Sequence, residues 1–320
     1  MSEAQLSEGI RCFKDSYTDP WSRDEVIKCP HMMALLGYLI QQHNLPRYAS
    51  KEKGLRYHYT DAVGLLGIVE TGRVWATDIR FLNDPSEGSY LPERLLSIMS
   101  LKSSGVTKTE QAIIDGIRDA LQKPRWNHST FCVSLSRNGD LLSQWRGYGS
   151  FGKGYAVGMD FLPHPQLAQY YDVVYGDDGL RELAVDLLDL FVASFQKWED
   201  ELYDEWAATL SVVAKSFKVE SYSEEQESRL ICNSSSYDDA RFQRELPLNF
   251  RARGSDIVPY ISMSHDLLRD DDEEPRLPIK RIVIGPGVDF DRNFSSVNAL
   301  LKANSYEDVE IVPSAIPFRP

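Results

Sequence analysis

The sequence predicts a mixed α+β fold, on three observations. Short aromatic and β-branched runs such as LRYHYT, STFCVSLS, GYAVGMDF and IKRIVIG recur from Leu55 onward, bounded by Gly, Asn, Asp or Pro, as strands are. Between them lie segments of helical period, the longest from Leu180 to Lys215 with Leu187, Leu190, Phe191 and Phe195 on one face. The two kinds of segment do not alternate with a βαβ beat, which argues against a doubly wound parallel sheet.

The elements follow in order. The first fifty residues hold one apolar helix candidate, Met32 to Gln42, and are expected to form an N-terminal helical extension, with residues 51–320 as a single domain. LRYHYT is a predicted strand. The next segment, DAVGLLGIVETG, suits a short helix with Val63, Leu66, Ile68 and Val69 as its apolar face and Gly72 at its C-cap. Val74 to Ala76 resumes as a strand, the loop IRFLNDPSEG follows, and two helices are expected between about Leu91 and Leu121. STFCVSLS and GYAVGMDF flank a helical turn, DLLSQWRGY. After the long helix come a short strand, the acidic SEEQESRLI block and the strands PLNFRA, DIVPYISM, IKRIVIG and VEIVPS. The acidic run Arg269 to Glu274 is expected to be a solvated loop.

Bulk numbers narrow the function class. The chain is long enough, at 320 residues, to bury one large core or two smaller ones. Acidic residues outnumber basic ones 48 to 35, a formal charge of -13, which argues against passive binding to nucleic acid or anionic membrane. A nucleic-acid substrate held by a local basic patch remains compatible. The four cysteines (Cys12, Cys29, Cys132, Cys232) form no CxxC pair and suit reduced thiols. Cys29 and His31 lack the second pair that structural zinc requires, so no metal is expected. MSEAQLSEGI has no basic or apolar leader character, and His31 to Ile40 is about half a membrane span, so a soluble, cytoplasmic protein is expected.

Two phosphate-binding motifs are present in letters only. GYGSFGKG contains G-x-G-x-x-G at Gly147, Gly149 and Gly152, and nearly a P-loop through Lys153. Gly154 stands where a P-loop needs Ser or Thr. Both motifs need a strand before and a helix after, and here the predicted order is reversed. There is no G-x-S-x-G elbow and no H-E-x-x-H, and His164 and His265 are expected on the surface.

Three segments together carry chemistry. Tyr57-His58-Tyr59-Thr60 closes a strand, with Asn83 to Glu87 close behind. Ser134 and Ser136 share a strand face, and Glu225-Gln226-Glu227 precedes Ser228 and Arg229. If extended, Glu225 and Glu227 point together. Breaking the bond between nicotinamide and ribose leaves an oxocarbenium-like sugar, which a fixed carboxylate stabilises. Histidine and serine can bond ribose hydroxyls, and an aromatic ring can stack on nicotinamide.

On these segments, with LLGIVETG, LNDPSE, LLSQWRGY, ESYSEEQESRLI, LPIKRIVIGP and SAIPFR, the chain from Leu55 to Arg319 resembles the bacterial family catalogued as domain of unknown function 2971. That family's strand-H-Y-T opening in turn resembles the ADP-ribosyltransferase superfamily. The resemblance implies a split antiparallel sheet with helical insertions, and NAD as substrate without a metal. It implies His58 or Arg56 from the first strand, Ser134 and Ser136 from a middle strand, and Glu227 as the catalytic carboxylate, with Glu225 orienting the acceptor. Tyr59, Thr60, Asn83, Trp145, Arg146 and Tyr148 are the further candidates for contact with NAD. Tyr222 stands where the family has Trp. The implied activity is transfer of ADP-ribose to DNA, RNA or protein, in a toxin or phage-defence role, with a regulatory or antitoxin partner and no membrane. The alternatives are an NAD glycohydrolase, a non-catalytic nucleotide-binding or sensor module, and a structural interaction protein.

Overall fold

The computed structural model describes residues 22–28, 38–39, 42, 54–84, 89–101, 105–122, 130–160, 169–177, 179–233, 247–264 and 276–317. In chain order the elements are α1 (Arg23–Lys28), β1 (Arg56–Thr60), α2 (Ala62–Thr71), β2 (Val74–Asp78), α3 (Tyr90–Ser100) and α4 (Lys108–Gln122). Then come β3 (Thr130–Ser136), α5 (Leu142–Gly147), β4 (Tyr155–Met159), β5 (Gln169–Asp172), β6 (Val174–Tyr175) and α6 (Leu180–Ala214). The last are β7 (Phe217–Lys218), β8 (Glu227–Asn233), β9 (Leu248–Arg253), β10 (Asp256–Met263), β11 (Ile279–Ile284), α7 (Phe290–Ala303) and β12 (Glu310–Pro313). No helix of the described residues is long and apolar enough to cross a membrane.

The chain divides into two compact units. The first collects Met1–Arg47, Ser86–Asn127 and Val174–Glu220. Its described part is mostly helical, with α3 and α4 packed on α6 around Leu91, Leu95, Ile113, Ile117, Leu187 and Phe191, and one short parallel strand pair, β6 with β7. The apolar face expected from Leu180 to Lys215 is thus the core of a helical unit that also takes in the two segments it packs against. Of the candidate helix Met32–Gln42, Tyr38, Leu39 and Gln42 are described, and all are helical. The run Arg269 to Glu274 lies outside the described residues.

The second unit, Tyr48–Pro85, His128–Val173 and Ser221–Pro320, is an α+β layer built on a ten-stranded, mostly antiparallel sheet. β3 is its centre. β8 follows β3 along its whole length, from Thr130 opposite Asn233 to Ser136 opposite Glu227. The other edge of β3 is shared. β2 takes its beginning, with Asp78 opposite Phe131 and Thr77 opposite Cys132, and β1 takes its end, with Tyr57 opposite Ser136. Between them Val133, Ser134 and Leu135 pair with no strand on that edge, so the sheet forks. One wing runs β1-β4-β11-β12 and the other β2-β10-β9. Only β11 and β12 pair in parallel within this sheet, with α7 as the connection.

One core serves both wings. Leu65, Ile68 and Val69 of α2 pack with Val74, Phe131, Val133, Leu135, Val157, Leu230 and Ile282. The helix is cut to length by its caps. The Asp61 side chain accepts from the Gly64 amide at 2.7 Å, and Gly72 takes the left-handed conformation at φ 62, where a Cβ would cost energy. The buried face is Leu65-Ile68-Val69, whereas Val63 and Leu66, expected there from sequence, are exposed. Residues 65, 68 and 69 have the proper helical spacing, and the 63–66 pair points about 140° around the helix from them.

Candidate functional site

The fork leaves a backbone acceptor without a strand partner, and a side chain takes it. His58 Nδ1 lies 3.1 Å from the Ser134 carbonyl oxygen, in the gap between β1 and β3. A carbonyl only accepts, so Nδ1 carries the proton and Nε2 is left as the acceptor. Burial lowers the imidazole pKa below its ordinary value, and the charge of Arg251 lowers it further, against the pull of the Ser134 carbonyl. The ring is therefore neutral at pH 7, and among the described residues nothing bonds Nε2. Position 58 on β1 and position 134 on β3 thus meet, through the backbone carbonyl of Ser134 and not through its hydroxyl.

The end of β3 carries the second group. Ser136, buried, donates from Oγ to the Glu225 carbonyl at 2.9 Å and accepts from the Asn138 amide at 3.2 Å. The Arg137 amide donates to the Gln226 carbonyl at 2.9 Å. These bonds clamp the turn before β8 onto β3. The Glu225 carboxylate, half-buried, accepts from the Tyr148 hydroxyl at 3.2 Å, and the Asn83 side-chain amide donates to that hydroxyl at 2.5 Å. Asn83, Tyr148, Ser136 and Glu225, four candidates from three distant segments, form one cluster.

Glu225 and Glu227 do not point together. Residues Glu220–Glu225 form a tight 3-10 turn, Gln226 is left-handed at φ 46, and the strand starts only at Glu227. The two-residue period that would align the carboxylates holds only within a strand. Glu227 is buried, and its two oxygens take Arg229 Nε at 2.8 Å and Nη2 at 2.9 Å. Both lie on the face of β8 opposite Ser136 and Ser134 in register. The Glu227–Arg229 pair is a buried, forked ion pair and not a surface one.

Most of the remaining candidates have structural partners. Arg56, buried, donates from Nε to Ser228 Oγ at 3.1 Å and holds Nη2 3.7 Å from Asp172, while Ser228 also bonds Asp172. Ser228 alternates with Glu227 and Arg229, so this group sits on the other face of β8. The Tyr59 hydroxyl donates to the Asn138 carbonyl at 2.9 Å and accepts from the Leu141 amide at 3.0 Å; burial raises its pKa. Trp145 is a core anchor: fully buried, edge-on to Tyr59 at 4.8 Å, its indole N–H on Asp140 at 2.7 Å. Asp140 also takes the Ser314 hydroxyl at 2.5 Å and the Ala315 amide at 2.7 Å. Thr60 ends β1 half-buried, and Arg146 is exposed at the end of α5. Residues 85–87 of the NDPSE loop lie outside the described residues, as do Cys12, Cys29, His31, His164 and His265. The GYGSFGKG segment follows helix α5 and precedes strand β4, the reverse of a nucleotide fingerprint.

Sequence reading missed a further group on the second wing. Arg251 of β9 lies 5.3 Å from the ring centre of Trp75 and 5.8 Å from that of Tyr260, and donates from Nη2 to Thr77 Oγ1 at 2.8 Å. The signal was faint: Trp75 and Thr77 are two apart on β2, but Arg251 reaches them only through the β9–β10 pairing. Among the described residues no three His, Cys, Asp or Glu side chains gather to hold a metal ion. Comparison with protein-family models, with curated proteins and with solved structures finds no match, so the site stands on its own geometry.

Proposed function

We propose that this protein is an NAD-dependent ADP-ribosyltransferase acting on a macromolecule, with its site at the fork of the sheet. The observation that carries the reading is the His58 imidazole bridging the fork through Nδ1 to the Ser134 carbonyl, which leaves Nε2 to accept from a ribose hydroxyl. The split antiparallel sheet around it is the arrangement that the family resemblance implies. Ser136 tethers Glu225 two residues along β3 from Ser134, or about 7 Å.

In this reading Glu225, not Glu227, faces the chemistry. Breaking the C1′–N bond sends the electron pair to the pyridinium ring, releasing neutral nicotinamide and leaving a ribosyl cation. A half-exposed carboxylate held by Tyr148 can stabilise that cation, after which a nucleophile of the acceptor bonds to C1′. Glu227 is occupied by Arg229, whose charge offsets its own, so it braces the wall.

Glu225→Gln is expected to slow nicotinamide release from NAD about a hundredfold, roughly 3 kcal/mol, with an unchanged melting temperature. Full release by this variant would overturn the assignment. NAD binding by the wild type without any nicotinamide release would identify a binding module. Labelled NAD with DNA, RNA and cell extract separates transfer from hydrolysis.

A further inference from the structure

Arg251 has an unusual setting for a chain of charge -13. It is half-buried, and no carboxylate of the described residues lies within ion-pair distance. Burial, and after it the nearby charge of Arg253, lower its pKa, and Tyr260 works against them. The side chain is nonetheless fixed. The rings of Trp75 and Tyr260, 4.5 Å apart and tilted by 35°, lie beneath it, and Thr77 holds one nitrogen. A guanidinium has five N–H donors in a planar fork, and one hydrogen bond leaves most of them unused. Trp75 remains 45% exposed, so the cluster meets solvent.

A held cation, donors to spare and a half-exposed indole match a phosphate attached to a flat base. We infer that Arg251, Trp75, Tyr260 and Thr77 form a subsite for the diphosphate of a nucleotide, with the guanidinium bonding the phosphate oxygens. This inference rests on the proposed function for its occupant, the diphosphate of NAD. The register places Thr77 beside Cys132 on β3, two residues from Ser134, so the subsite borders the fork that His58 bridges. The charge of Arg251 is felt at His58, which accords with this placement.

ADP is the probe, because it carries the diphosphate but lacks the bond that the proposed reaction breaks. Calorimetry with the full chain is expected to show ADP binding that weakens about tenfold to a hundredfold in Arg251→Gln, the loss of one charge-assisted contact. Adenosine should bind weakly and equally to both. Trp75→Phe keeps a ring under Arg251, and is expected to bind ADP while losing any ligand-dependent quenching of tryptophan fluorescence. Thermal melts check that each variant is folded, and Arg251→Lys, which keeps charge without the planar fork, should retain intermediate affinity. Equal ADP affinity in folded Arg251→Gln, or none in the wild type, would overturn the subsite. Arg251-dependent binding of an oligothymidylate without binding of ADP would also overturn it, giving the phosphate to an acceptor strand. A wild-type protein that binds ADP through Arg251 but releases no nicotinamide from NAD would overturn the transferase reading and leave the subsite standing, so the two readings fail separately.

Discussion

Glu225 and Glu227 show how much one dihedral angle decides. The E-x-E pattern alone suggests two parallel carboxylates; the left-handed Gln226 between them sends one to the half-exposed Tyr148 cluster and the other into a buried ion pair. That conformation was not legible, because Gln is not a residue that favours it. The strands that carry His58 and Ser134 were legible, since strand patterns are local features, whereas their meeting through the Ser134 backbone carbonyl was not. Arg251 was not, because its meaning comes from two rings on other strands. The buried pair carries its own expectation. Glu227→Gln leaves the Arg229 guanidinium, fully buried, facing a neutral amide. Breaking such a pair costs about 3 kcal/mol or more. Glu227→Gln should therefore lower the melting temperature by many degrees, and an unchanged melt with lost activity would return the catalytic role to Glu227.

At the scale of elements, capping signals were easier to find than faces. Gly72 is the C-cap that the sequence predicts, and the helix before GYGSFGKG and the strand after it stand in the expected order. Helix α7 escaped sequence reading although Asp289 caps it, its side chain accepting from the Arg292 amide at 2.9 Å, and Val297 and Leu301 stand four apart on its buried side. Its polar, serine-rich middle hid that stripe. The short strands β5 and β6 also went unseen, since two to four residues give no readable period. The turn before β8 depends on one hydroxyl, that of Ser136. Ser136→Ala removes a donor to Glu225 and an acceptor for Asn138, so it should cost about 1–2 kcal/mol in denaturant unfolding. Nicotinamide release should fall with it, since Glu225 would lose its anchor. Stability loss with full release would mean that the turn holds Glu225 without Ser136.

At the scale of the whole chain, the α+β class was legible because strands and helices each have their own period. The interleaving of the two units was not. Segments 86–127 and 174–220 join a helical unit only through contacts among themselves, which no local pattern announces. The sheet should also show graded protection from amide exchange. β3 is paired by β8 along its whole length and at its two ends by β2 and β1 as well, whereas β9, β12 and β5 are edge strands. Backbone hydrogens of β3, β8 and β4 should exchange slowest, and those of β9 first. Exchange as fast in β3 as in β9 would contradict the forked topology.

The fork has a mechanical consequence. Each wing is riveted to β3 by only one or two residue pairs, while its own strands are bonded to each other over four to six. Pairing alone would make the wings stiff leaves on a softer crease, with bending expected at Val133 to Leu135. A rigid molecule gripping both leaves would act as a strut across the crease, and the softest deformation of the sheet would become one of its stiffest.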